Sequence, residues 1–228
     1  MAILVDLLKE LFAKSTPVPE HVERPVESKL MRSKVLNVGG SSKNTPIPQH
    51  YSEWQHDLLD IDSRGNPDIV CDARELRNLD GKQYEAIYCS HNLEHYYRHD
   101  ALTVLQGFVH ILKDDGFAEI RVPDIAQVIS GVIEKNLDLD DVLYESAAGP
   151  ITAHDVMYGL QSEIVNSGQD FYAHKTGFTP KSLTKLLHDG GFQSVYLISD
   201  EHLGIHAIAF KGEPTKEQLA LLAPTLRL

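Results

Sequence analysis

From Lys34 onward the chain alternates short apolar runs with longer amphipathic stretches. Val35–Val38, His56–Asp60, Asp68–Cys71, Tyr84–Cys89 and Phe117–Val122 are short, rich in Val, Ile, Leu or aromatic residues, and bounded by Gly, Asp or Pro. Runs that are apolar on both faces predict parallel strands covered on both sides. Between them, Leu102, Leu105, Phe108, Val109 and Leu112 recur at helical spacing, which predicts a helix over His99–Leu112 facing the sheet. Lys113-Asp114-Asp115-Gly116 should end it, with Gly116 in a left-handed turn. A helix is predicted over Ile125–Lys135, and a better-marked one over Thr179–Gly190. There Thr179 is the N-cap, Pro180 takes the first helical position, and Gly190-Gly191 closes the helix. Phe192–Ser199 and Ile205–Lys211 are joined by so short a link that they must form an antiparallel hairpin.

The connections are uneven. Ser41–Gln55 contains Pro46 and Pro48, so it holds at most a short helix over Pro48–Trp54. Asp62–Pro67 is a turn with no room for a helix, and Arg74–Lys82 leads into the fourth strand. The stretch Asn136–Gly177 is the least regular and is expected to form a cap over the ligand edge. These elements add up to an α/β fold: a doubly wound, mostly parallel seven-stranded sheet with a C-terminal antiparallel hairpin. The expected organisation is an N-terminal helix and linker arm (1–33), one domain (34–212) with the cap inserted at about 136–177, and a C-terminal helix (213–228). The arm places Ile3, Leu4, Leu7, Leu8, Leu11 and Phe12 on one helical face before Thr16-Pro17-Val18-Pro19 stops it. That face suits packing on its own domain or a homodimer contact with a second subunit. Its polar side is too poor in Lys and Arg for a membrane surface.

Charge narrows the partners. Thirty-three acidic against 21 basic residues give a formal net charge of −12, so nucleic acid and anionic membranes are not expected as partners. No apolar run is long enough to span a bilayer. The N-terminus carries Asp6, Lys9 and Glu10 and lacks the pattern of a signal peptide. The two cysteines, Cys71 and Cys89, fall inside predicted strands and read as free thiols of a reducing compartment. A cytoplasmic protein is expected.

The candidate chemistry gathers at strand ends. Gly39-Gly40 follows the first strand, Asp60 closes the second about 20 residues on, and Asp72 closes the third. Alone, a glycine pair is a tight turn and an aspartate is a cap; in this order they mark a ligand edge where a backbone approaches closely and a carboxylate meets ribose hydroxyls. Asp62 reads as a turn residue that would replace Asp60 if the second strand ended later. His91, His95 and His99 recur every four residues with Glu94 between them, a spacing that on a helix would align metal ligands. Asp138, Asp140 and Asp141 read as an exposed acidic loop.

The ordered set Leu36-Asn37-Val38-Gly39-Gly40, Leu59-Asp60-Ile61, Asp68-Ile69-Val70-Cys71-Asp72-Ala73 and Ile87-Tyr88-Cys89-Ser90-His91-Asn92-Leu93-Glu94-His95 resembles the class I S-adenosylmethionine-dependent methyltransferases, in particular the type 11 group. Ile111–Phe117 and Arg121-Val122-Pro123-Asp124 extend the resemblance over about Lys34–Gly212. It implies that Gly39 and Gly40 pass under the methionine part of the cofactor. Asp60, with Ile61 beside it, would hold the ribose. Asp72 and the Ala73 N–H would hold adenine, and Ser90 and His91 would flank the sulfonium. It also implies a strand-to-helix junction at His91–His99 that would not hold three imidazoles together, so no metal site is expected. Two features depart from the family: Asn37 and Ser41 stand where it often has an acid and a second glycine, and the helix after the first strand is short. Ser41 is small but calls for an ordinary backbone conformation.

Sulfonium methyl transfer asks the protein mainly to align donor and acceptor, with a base only where the acceptor must lose a proton. Candidate bases are His91, Glu94 and His95, then His154, Tyr172 and His174 from the cap; Phe171–Phe178 is a candidate wall of the acceptor pocket. The expected activity is methyl transfer from S-adenosylmethionine to a small-molecule or glycan-like acceptor. The alternative is a non-catalytic interaction or cofactor-sensing module of the same fold. A nicotinamide enzyme is disfavoured, because no Gly-x-Gly-x-x-Gly opens a helix after the first strand.

Overall fold

The computed structural model describes residues 33–146, 149–200 and 203–226, so the expected N-terminal helix lies outside the described residues. Strands β1 (Lys34–Val38), β2 (Gln55–Asp60), β3 (Ile69–Val70), β4 (Tyr84–Ser90) and β5 (Leu112–Pro123) pair in parallel. Helix α1 (Arg98–Ile111) precedes β5, and α2 (Ile125–Glu134) follows it. A separate antiparallel hairpin, β6 (Val142–Ser146) and β7 (Gly149–Thr152), leads to two short helices, α3 (Ala153–Tyr158) and α4 (Gln161–Ser167). Helix α5 (Pro180–Gly190), the antiparallel strands β8 (Ser194–Asp200) and β9 (Gly204–Phe210), and α6 (Lys216–Leu226) complete the chain.

The main sheet runs β3-β2-β1-β4-β5-β9-β8. The expected doubly wound, mostly parallel seven-stranded sheet with its C-terminal antiparallel hairpin is therefore the observed one. Chain order reverses between β1 and β4, so loops leaving their carboxyl ends diverge and open a crevice there.

Alternation along each strand feeds two cores. Leu36, Val38, Ile87, Cys89, Ala118 and Ile120 pack against Leu105 and Phe108 of α1 and Leu183 and Leu187 of α5. Leu102 and Val109 of α1 are only half-buried at the edge of this cluster. On the other face Val35, Ala86, Tyr88, Phe117, Ile208 and Phe210 meet Tyr51 and Leu222. Segment 136–177 has its own small cluster, in which Val128 of α2 packs with Leu143, Ile151, Ala153 and Val156.

Helix α5 starts as its sequence dictates: Thr179 and Ser182 form a reciprocal capping box, Pro180 is the first helical residue, and Gly191 adopts φ +110° at the end. Other expectations need correction. Gly116 makes no left-handed turn; the strand already starts at Leu112, and Gly116 is extended within it. The connection after β1 stays within its expected limit, a single 3-10 turn over Gln49–Tyr51. Cys71 lies just past β3 and is half-buried, while Cys89 is fully buried as expected.

One buried charge was not legible in the sequence. Glu119 of β5 is fully buried on the α6 side of the sheet. Its Oε2 is 2.9 Å from His50 Nε2 and accepts the Tyr51 hydroxyl at 2.9 Å, while Oε1 is 2.7 Å from His206 Nε2. Burial pushes this carboxyl up, but the bonds from His206 and His50 outweigh it and hold the pKa at about 2. The folded-state value lies below the ordinary 4.5, so the stabilisation is present above about pH 4.5 and drains away as pH falls towards 2. Glu119→Ala is expected to cost about 2–3 kcal/mol in urea unfolding at neutral pH. The wild type should lose that margin over the variant when the melts are repeated in acid; a gap that stays constant from neutral pH to pH 2 would contradict this account.

Candidate functional site

The carboxyl ends of β3, β2, β1 and β4 lie side by side, and the loops leaving them line a cleft of about 500 Å3. Its walls include Asp72, Asp60, Ile61, Gly39 and His91 in the order of those strands, together with Arg74, Asn92, His95, Tyr96 and Tyr172. At about 4.8 Å between strands, the span from β3 to β4 is roughly 14 Å. Ala73 and Ser90 sit at the same edge: Ala73 is buried behind Asp72, and Ser90 ends β4.

Gly39 is a glycine for a steric reason. Its φ is +73°, its N–H donates to Leu59 O at 2.8 Å, and an added Cβ would lie 2.1 Å from Asn92 Nδ2. Gly40 has an ordinary φ, but a Cβ there would strike the Asn37 amide at 2.1 Å. The expectation for Ser41 is overturned: it takes φ +61°, in the left-handed region, because its N–H is turned onto Asp60 Oδ2 at 2.8 Å. Asp60 Oδ1 also accepts the Asp62 N–H at 2.9 Å. A carboxylate offers about four acceptor directions, so these two bonds leave about one per oxygen.

The neighbouring acids are held by arginines that the motif reading did not include. Asp72 caps the 3-10 turn Ala73–Asn78 and takes Arg74 Nη2 at 2.6 Å. Burial raises its pKa and the bonds from Arg74 outweigh that, leaving it below the usual carboxylate value. Asp62 is paired to Arg64 through Nε at 2.8 Å and accepts the Tyr172 hydroxyl at 2.8 Å. It therefore ties the β2 loop to segment 136–177 and does not stand in for Asp60.

Beyond β4 the chain turns sharply. His91 has φ +50°, its N–H donates to Arg121 O at 2.9 Å, and its exposed ring lines both the large cleft and a second cavity of about 160 Å3. Pro123, Tyr144, Ile151, Val156 and His174 help to line that second cavity. Glu94 is 1% exposed, and neither carboxylate oxygen has a hydrogen-bond partner among the described residues. His91 Nδ1 lies 3.4 Å from Glu94 Oε1, an ion-pair distance without hydrogen-bond geometry. Burial raises the Glu94 carboxyl, but the three surrounding imidazoles, His91 first, outweigh it and hold the pKa below its ordinary value. For His95, burial lowers the pKa, with Glu94 opposing and His174 reinforcing the shift.

His95 and His99 part company here. His99 is exposed and stacks on Tyr97, whereas the His95 ring meets that of His174 at 4.8 Å. The backbone N–H groups of Lys175 and Thr176 both donate to Glu94 O, at 2.8 and 3.1 Å. This return is possible because Gly159 has φ +97° and no Cβ, which would otherwise lie 2.5 Å from Tyr172 O. Phe171 and Tyr172 line the large cleft, and His174 lines the smaller one. The His154 ring lies tilted against that of Tyr158 and lines neither cavity.

No family model and no curated protein matches this chain. Solved structures do. A protein from Pyrococcus horikoshii aligns over 91% of this chain and 87% of its own, with 12% identity and a TM-score of 0.52. An S-adenosylmethionine-dependent methyltransferase from Archaeoglobus fulgidus covers 79% of this chain and 86% of its own, with 17% identity and a TM-score of 0.48. An O-methyltransferase family protein from Burkholderia thailandensis covers 81% at 10% identity and a TM-score of 0.49, and this chain spans only 52% of that one. At 12% identity the likeness to the Pyrococcus protein shows the fold alone.

The Gly39 geometry makes a direct prediction. Gly39→Ala should lose roughly 2 kcal/mol of stability, from the left-handed φ and the collision with Asn92. Asn92→Ala in the same chain should restore part of it, because the amide atoms nearest the new methyl are then gone. Denaturant melts of the two single variants and the double variant measure this; strict additivity would show that Asn92 is not the obstacle.

Proposed function

We propose that this protein is a methyltransferase that uses S-adenosylmethionine to methylate a small-molecule or glycan-like acceptor in the cytoplasm. The observation that carries the reading is the row of strand ends: Asp72, Asp60, Gly39 and His91 succeed one another along one cleft at the point where strand order reverses. The residues fit an adenosyl amino acid. Asp72 and Ala73 stand at the end of the cleft that suits adenine. The remaining acceptor directions of Asp60, with Ile61 alongside, suit two ribose hydroxyls. Gly39 and Gly40 leave the backbone bare for close approach. Asn92 Oδ1, buried without a partner, offers an acceptor for an ammonium group.

Bound there, S-adenosylmethionine supplies an activated methyl group. The chain's part is to place an acceptor in line and to keep water out. Segment 136–177 serves as the cover, since Tyr172 and the Lys175–Thr176 backbone tie it to the β2 and β4 loops. His91 borders both cavities and is the best-placed proton acceptor. Glu94 beneath it and His95 beside it act through charge and orientation. Excess acidity makes nucleic acid a poor acceptor.

Calorimetric titration with S-adenosylmethionine, its demethylated product and NAD tests the reading. Binding of the first two and not the third is expected. Asp60→Ala should weaken it by about 10- to 100-fold, with a thermal melt showing that the variant is folded. Failure of all three ligands to bind would favour the non-catalytic module. Binding of NAD alone would overturn the assignment.

A further inference from the structure

We propose that Glu94, His95 and His174 form a binding site for a divalent transition-metal ion of the zinc or manganese type, placed between the two cavities. Each residue offers one ligand atom, and the three atoms lie within 4.8 Å of one another. Two imidazoles and a carboxylate are a donor set that such ions take, leaving positions open for water or substrate. Ligand atoms around one ion at about 2.1 Å stand roughly 3–4 Å apart. Closing this trio asks its ligand atoms to move by on the order of an ångström.

Three independent features prepare the trio. Glu94 is 1% exposed, neither oxygen accepts a hydrogen bond among the described residues, and the ring at ion-pair distance, His91, is itself exposed; a buried carboxylate so short of donors is costly unless a cation joins it. His95 Nδ1 lies 3.3 Å from Ala173 O, and His174 Nδ1 lies 2.8 Å from Val156 O. A ring that donates Nδ1–H to its carbonyl keeps the lone pair on Nε2 for an ion, the arrangement by which a backbone oxygen orients a histidine ligand. The backbone also spends two N–H donors on the Glu94 carbonyl, fixing the segment that carries His174 against the one that carries Glu94 and His95.

Position gives the ion its use. His95 lines the larger cavity, His174 the smaller one, and His91 both. An acceptor entering the smaller cavity would meet the ion's open position next to the cleft assigned to the methyl donor. A hydroxyl held there binds through oxygen and ionises more readily. This role rests on the methyl-transfer reading and favours oxygen-bearing acceptors; the binding of the ion itself does not depend on that reading.

The test uses the full chain, stripped with a chelator and titrated with Zn2+, Mn2+ and Co2+ alone. One equivalent should bind, and the Co2+ form should show a visible absorption band. Glu94→Gln and His174→Ala should each weaken binding by at least about 100-fold, more than loss of an outer-shell partner costs. His99→Ala, which removes an exposed imidazole outside the trio, should change nothing. X-ray absorption of the loaded wild type should show imidazole scattering, a readout that needs no variant to fold. Absence of binding by all three ions, or binding unchanged in both ligand variants, would overturn the site. Titration of the same preparation with S-adenosylmethionine reports the methyl-transfer reading separately, so either idea can fail while the other stands.

Discussion

A carboxylate removed from water has to find donors, and Asp60 finds them in its own surroundings. The Ser41 and Asp62 N–H groups close on its two oxygens, and this fixes the exit of β1 against the exit of β2. Ser41 adopts a left-handed backbone to reach it, and Gly39 two residues earlier is left-handed as well. The crevice between those loops is therefore a shape held by charge-assisted hydrogen bonds, not a gap between mobile loops. Arg74 on Asp72 and Arg64 on Asp62 do similar work further along the edge. The cleft is lined by acidic side chains, yet Asp60, Asp62 and Asp72 are each partly satisfied before any ligand arrives. A neutral, hydroxyl-rich ligand can then take the acceptor directions that remain without a large desolvation cost.

The sheet was legible because parallel strands covered on both faces leave little choice of residue. Val35–Val38, Tyr84–Cys89 and Phe117–Val122 lie within the observed β1, β4 and β5, and the hairpin β8–β9 follows from the shortness of its link. Thr179-Pro180 likewise gave its helix away through local chemistry, since a capping box needs nothing beyond its own turn. Gly116 misled because glycine is equally at home in a left-handed cap and in an extended strand. Only the pairing of β4 with β5 decides between them, and that is a contact across the sheet.

The site was legible in its first half only. Gly39, Asp60, Asp72 and His91 sit at strand ends, where sequence order and spatial order coincide. His174 comes some eighty residues after His95, and its approach depends on Gly159, on the Val156 carbonyl and on the return of Lys175 to Glu94. None of these leaves a periodic trace. The four-residue spacing of His91, His95 and His99 did, but it described a helix that does not begin until Arg98. Glu119 escaped for the same reason: its partners His50 and His206 lie 69 and 87 residues away.

Glu119 and Glu94 are the same residue type under nearly the same burial, and the contrast between them is instructive. Glu119 has three protein donors within 2.9 Å, lies away from both cavities, and reads as a structural charge that staples the sheet to the turn at Tyr51. Glu94 has no hydrogen-bond donor among the described residues, adjoins both cavities through His91, and lies beside His95 and His174, whose rings each rest on a backbone carbonyl. A chain that can satisfy one buried glutamate so fully has no general difficulty in doing so. Leaving the other open at the meeting of two cavities is a cost in stability that folding alone does not repay, which is the expected signature of a group kept for a ligand.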